Sequence, residues 1–283
     1  MNSLSIFPPL LACLAAFVGC NRNHGGTPKE APMIIFRGAD GRTLTMEGLL
    51  RATGTFRYEI VGGTDVPAEA DLLHKQARQA GEAGDHKKAL ALLKRASNLA
   101  PQWPYPPYDM AYTYLLMNDF ARARQYYRKT VELAPRGFFT AITALDTLER
   151  EQKGDFPTGT YLAYLSLEWM NDRVEKAAVV RNLAKRVPRF APAWEELAKI
   201  SDGDAERLAA IEKGLAAEPD AETKGMLQIN KALVLDKQGD HEGAVRLLGE
   251  LALDAKSTYS TEHLAKVTLA VVAKKHAEKH DDE

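Results

Sequence analysis

Three landmarks recur along this chain at one period. Gly84-Asp85-His86-Lys87-Lys88-Ala89 is followed by Leu99-Ala100-Pro101, and Asn118-Asp119-Phe120-Ala121-Arg122-Ala123 by Leu133-Ala134-Pro135. Asp85 and Asp119, Ala89 and Ala123, and Pro101 and Pro135 each stand 34 residues apart. A repeat of that length is one supersecondary unit, which cannot bury its apolar face alone and so stacks on neighbouring copies. Each landmark has a physical task. Gly or Asn followed by Asp turns the chain sharply between two helices, and the Asp side chain caps the second. Ala is small where the two helices cross. Pro stops the second helix and opens the next unit. Gly239-Asp240-His241-Glu242-Gly243-Ala244 restates the turn, with Ala244 again four residues after the Asp. Ala, Leu, Lys, Arg and Glu dominate from about residue 68 onward, all strong helix formers.

The pattern resembles the tetratricopeptide repeat (TPR), most closely over residues 70–137 and again over 225–256. The resemblance implies an all-α fold: a TPR-like right-handed superhelix of antiparallel helix pairs over residues 67–280. In that family the first helix of each pair, helix A, lines a concave groove that binds a protein or peptide. Helices are expected at 68–82, 85–99, 106–117, 119–133, 137–152, 158–170, 173–187, 190–200, 204–217, 221–238, 241–255 and 259–278, the last a capping helix. The middle is irregular. Gly154-Asp155, Asn171-Asp172 and Gly203-Asp204 read as the same turn, yet the Asp spacings from Asp85 to Asp240 run 34, 36, 17, 32 and 36. The spacing of 17 is half a repeat, so one helix there pairs differently.

The segment before the repeats is built otherwise. The apolar run Leu10–Val18 is too short to span a bilayer and suits the core of a signal peptide over residues 1–19. It ends at Phe17-Val18-Gly19-Cys20, which resembles the bacterial lipobox. The resemblance implies cleavage before Cys20, a lipid such as palmitate on that cysteine, and a lipoprotein anchored in the cell envelope on the periplasmic face; the alternative is an ordinary signal peptide and a secreted chain. Phe17 and the lack of Lys or Arg before the apolar core depart from the usual pattern. Cys13 and Cys20 are the only cysteines, so the mature chain has no thiol left for a disulfide or a nucleophile. Residues 20–32 are polar and rich in Gly and Pro, a flexible tether. Residues 33–66 read as a small β-rich segment. Met33–Phe36 forms one strand, Asp40-Gly41 a turn, Thr43–Thr45 a second strand, Met46–Arg51 a helical turn or two, and Thr55–Val61 a third strand.

Chemistry-bearing motifs are scarce. Phosphate loops, dinucleotide loops, nucleophile elbows and zinc-protease helices are all missing from the sequence. No cofactor and no metal are expected. His276 and His280 stand one helical turn apart in a charged tail and read as a solvated helix end. His86 and His241 share the position after the turn Asp that Phe120 fills in the second repeat, and read as packing residues. Glu195-Glu196, and Asp202 with Asp204, read as wet surface or helix caps. Basic and acidic residues number 37 and 38, which gives no pull toward nucleic acid.

Partner recognition is therefore expected on the groove. The turn register puts His74 and Arg78 of the first repeat, and Tyr105, Tyr108, Tyr112 and Leu116 of the second, on the helix A face. Tyr and Arg are favoured at binding hot spots. Tyr114, Phe120, Tyr127 and Trp194 are expected in the core. The carboxylate clamp of chaperone-binding members needs Lys and Asn where this chain has His74, Arg78 and Gly81, so a clamp of that kind is not expected. The reading is a non-catalytic scaffold of the bacterial cell envelope, bound to a membrane through its lipid and holding a protein or peptide partner. The alternative is a glycan-binding protein or enzyme accessory subunit that uses the aromatic groove and residues 33–62.

Overall fold

The computed structural model describes residues 33–37, 42–43, 57–61 and 66–281, with side chains to residue 273 in the last helix. Cys20, the tether and the preceding apolar run lie outside the described residues. So do the Asp40-Gly41 turn and the helical turn expected at Met46–Arg51. Two strands are present, β1 (Met33–Arg37) and β2 (Arg57–Val61), paired antiparallel with Met33 opposite Val61 and Arg37 opposite Arg57. The expected third strand thus pairs directly with the first. Of the expected second strand, Thr43 makes a single bridge to Arg37.

Twelve α-helices follow among the described residues. The first two pairs are α1 (Ala68–Glu82) with α2 (His86–Leu99), and α3 (Tyr105–Leu116) with α4 (Phe120–Leu133). Asp85 accepts the backbone N–H of Lys88 at 3.0 Å, and Asp119 that of Arg122 at 3.0 Å. Each turn Asp satisfies an amide that the helix start leaves without a partner. Gly84 and Asn118 take the left-handed conformation these turns need. Ala89 and Ala123 are buried, and a Cβ on Gly81 would sit 4.0 Å from that of Ala89, so the helices cross there in contact. Tyr127 is fully buried as expected, whereas Tyr114, Phe120 and Trp194 are half-buried against the core.

The third unit departs from the pattern. Its first helix, α5, runs Ala141–Lys153 rather than from residue 137. Gly137 and Phe139 have φ of +95° and +50°, which no helix accommodates, so residues 137–140 form a loop. At Gly154 the chain makes the same left-handed turn as at Gly84, with the Asp155 N–H on Arg150 as the Asp85 N–H is on Ala80, but no helix starts after Asp155. It runs on through Gly159 into a six-residue helix, α6 (Thr160–Leu165), and a 3₁₀ turn, Ser166–Trp169. The buried carboxylate of Glu151 sets that start, accepting the N–H groups of Gly159 at 2.9 Å and Tyr161 at 2.8 Å. The half-length Asp spacing therefore corresponds to an added short helix.

Regular pairing then resumes. α7 (Arg173–Arg186) is capped by Asp172, and α8 (Ala191–Ile200) pairs with α9 (Asp204–Ala216). In that pair Gly203 takes the cap position and Asp204 is the first helical residue, so the motif slips by one. α10 (Ala221–Lys237) pairs with α11 (His241–Leu253), where Asp240 caps as expected. α12 (Tyr259–Asp281) packs on both α10 and α11 and closes the stack. No described helix is long and apolar enough to cross a membrane.

One long-range contact shapes the rest. The start of α10 packs on the start of α5. The Thr143 hydroxyl reaches Asp220 at 2.9 Å, and both the Thr143 N–H and the hydroxyl reach Glu222 at 3.1 Å. Next to this contact, the Arg136 guanidinium donates to the Ser257 carbonyl, pairs with Glu262 and lies over the Tyr259 ring, 4.3 Å from its centroid. The C-terminal helices thus dock on the junction between the second and third units.

Candidate functional site

The six residues expected on the helix A face fall into two groups. His74, Tyr105 and Tyr108 build the wall. His74 is buried, edge-on to Trp103 at 4.9 Å and to Tyr105 at 5.4 Å between ring centroids, and its Nε2 lies 2.8 Å from Asp109. Tyr105 packs edge-on to Phe138 at 4.7 Å. Tyr108 packs against Tyr127, Phe138 and Phe139, and its hydroxyl meets Thr140 at 3.1 Å. Phe138 and Phe139 come from the loop that interrupts α5. That loop lays two aromatic rings across part of the face of α3.

Arg78 is exposed, while Tyr112 and Leu116 are half-buried, as Tyr105 and Tyr108 are. The Arg78 side chain is 53% exposed, with Nε 3.1 Å from Asp109. Asp109 therefore holds both His74 and Arg78 on one oxygen, tying α1 to α3. Tyr112 and Leu116, one helical turn apart on α3, are half-buried. Burial, and next the carboxylate of Glu168, raise the Tyr112 pKa above that of a free phenol, while the indole N–H of Trp169 acts the other way. Trp169 is 54% exposed on the 3₁₀ turn. Position in the repeat gave no sign of Asp109, Glu168 or Trp169. The first faces α1 across the crossing, and the other two belong to the added short segment.

Charges beyond the turn are arranged tightly. Glu195 is buried, not wet surface, because α8 turns it inward toward Lys199, whose Nζ lies 2.7 Å away. Burial raises the Glu195 pKa. Lys199 also reaches Glu196 at 2.8 Å, and Lys176 of α7 reaches Glu196 at 3.4 Å. These two ammoniums lower the Glu196 pKa in spite of its burial. Asp202 is exposed and pairs with Arg173, while Asp204 pairs with Lys237 at 2.8 Å. His241 takes Asp236 at 3.2 Å. Among the described residues no group of three or more His, Cys, Asp or Glu is placed to hold a metal ion.

Residues 108–136 match the family model of the tetratricopeptide repeat. No curated protein matches the chain significantly. Solved structures similar to it include MamA 41-end from Desulfovibrio magneticus RS-1, at 18% identity and a TM-score of 0.32 over 66% of this chain and 94% of that one. Another is TTC0263, a thermophilic TPR protein in Thermus thermophilus, at 17% identity and a TM-score of 0.31 over 71% of this chain and 99% of that one. A third is the TPR2AB-domain:pHSP90 complex of yeast Sti1, at 17% identity and a TM-score of 0.31 over 71% and 86% of the two chains.

Proposed function

We propose that this tetratricopeptide-repeat protein is a non-catalytic scaffold that holds a protein or peptide segment against the open part of its helix A face. The observation that carries the reading is the exposure of Arg78 on α1 and of Trp169 on the 3₁₀ turn, with Tyr112 half-buried on α3. Large amphipathic side chains of this kind supply apolar area and hydrogen-bonding ends together, the profile of interface anchors. The Phe138-Phe139 loop and the docked C-terminal helices leave the face of α1 and α3, with the Trp169 turn, as the ground for a partner.

A paired measurement tests the assignment. Tyr112→Ala and Arg78→Glu are each scored for melting temperature and for recovery of crosslinked partners from cells. The scaffold reading expects near-normal melting and a partner loss of about tenfold or more, the effect of roughly 1.4 kcal/mol at a hot spot. Normal melting with every partner still recovered refutes the reading. Location belongs to the same proposal and is supported by the sequence: the lipobox-like Gly19-Cys20 after a short apolar run speaks for a lipid anchor in a bacterial envelope. Cys20→Ala is then expected to release the protein from the membrane fraction. A variant that stays bound removes the anchor.

A further inference from the structure

The C-terminal helices meet the junction between the second and third units through polar groups. The apolar core of α10–α12, with Ile229, Leu248 and Val272, is separate from that of α3–α6, with Leu115, Tyr127 and Leu148. Leu227 and Val234 tie α10 instead to α8 and α9. Across the junction run hydrogen bonds and ion pairs: Arg136 to Ser257 and Glu262, the Tyr259 N–H to the Arg136 carbonyl at 2.8 Å, and Thr143 to Asp220 and Glu222. A contact closed by polar groups rather than a shared core can open while the helices on either side stay folded.

Counting hydrogens at this contact shows a shortage. The Thr143 hydroxyl has one hydrogen to give and two carboxylates in reach, Asp220 Oδ1 at 2.9 Å and Glu222 Oε2 at 3.1 Å. The Thr223 hydroxyl is already committed to Asp220 at 2.6 Å. Asp220 takes both hydroxyls and the N–H groups of Glu222 and Thr223 at 3.0 and 3.1 Å, a setting that suits an anion. The extra hydrogen therefore belongs on Glu222. Its Oε1 agrees, for it is buried beside Gly137 with no hydrogen-bond partner, where a charge would go uncompensated. The cations of the surrounding elements are engaged elsewhere. Arg136 pairs with Glu262 of α12, which also binds Lys266, and Arg150 of α5 pairs with Asp146 and Glu218. Asp220 and Asp146 add negative charge to the same corner.

We propose that Glu222 is a proton-held latch: as the neutral acid it seats the C-terminal helices on the junction, and with its proton gone the contact opens while the helices on either side stay folded. Hydrogen exchange of the full chain, read by mass spectrometry from about pH 5 to 8 and corrected for the intrinsic pH dependence of exchange, follows the opening. Peptides covering residues 138–147 and 257–265 report the junction, and peptides from α2 and α11 are controls. Junction protection is expected to fall by up to about tenfold per pH unit, because opening releases one proton, while both controls stay level. Glu222→Gln supplies its own hydrogen at every pH, so its junction protection should stay constant. Asp220→Asn keeps a capping side chain and removes the neighbouring charge, so the fall should end at a lower pH than in the wild type. Wild-type junction protection that is flat with pH, or that falls in step with α2 and α11, overturns the proposal. A folded Glu222→Gln variant that opens with pH as the wild type does also overturns it, as does an Asp220→Asn variant whose fall is unchanged.

Discussion

Glu222 sits in an environment far from that of a free side chain. Its Oε2 takes the N–H and hydroxyl of Thr143, while its Oε1 is buried without a hydrogen-bond partner. Gly137 and Thr258 enclose it; a Cβ on Gly137 would come within 3.2 Å of Oε1. Burial, and next the charge of Asp220, hold its pKa well above the usual carboxylate value. A raised carboxylate pKa favours the protonated form in the folded state, so its stabilising effect is full below the unfolded value and is lost as pH rises through the folded one. The charged form is then buried at a cost. Glu222→Gln is expected to stabilise the protein increasingly as pH climbs from about 4 to 8, with little effect at the acid end. Thermal melts across that range check this, and a constant or reversed difference contradicts it. None of this was legible in the sequence, because Thr143 and Glu222 stand 79 positions apart. Glu195 misled for another reason: its partner Lys199 is only four residues on, but that the pair is buried depends on how the helix packs.

Helix starts and crossings, by contrast, follow from neighbours in sequence. Asp85, Asp119, Asp172 and Asp240 each cap the helix that the turn pattern announces, since a cap spans only two or three residues. Ala123 at the α3–α4 crossing is fully buried. Ala123→Leu should overpack the pair and cost about 1–3 kcal/mol, seen as a fall in the urea midpoint. An unchanged midpoint would contradict the crossing. The third unit was less legible. Gly137 is the one local sign of a break at residues 137–140, since Phe138-Phe139-Thr140 contains no Gly or Pro. Phe139 tolerates φ of +50° where its ring packs against Tyr105 and Tyr108. Tertiary contact overrides helix propensity there. The short α6 depends on Glu151, eight to ten residues earlier, reaching forward to cap it.

At the scale of the whole molecule, the repeat pattern gave an open groove and the structure partly fills it. α10 and α12 dock on the junction around Arg136 and Thr143, and the Phe138-Phe139 loop covers part of α3. The open ground that remains is the face of α1 and α3 with the Trp169 turn, which is where partner binding is proposed. The most direct measurement is site-specific photocrosslinking in cells, with the reactive residue at Arg78 or Tyr112 on that face and, as control, at Arg246 on α11. The Arg246 side chain is 66% exposed, so the control is equally open to capture. The account predicts discrete, saturable adducts from positions 78 and 112 and none of the same mass from position 246. The same adducts from all three positions, or adducts from position 246 alone, would contradict it.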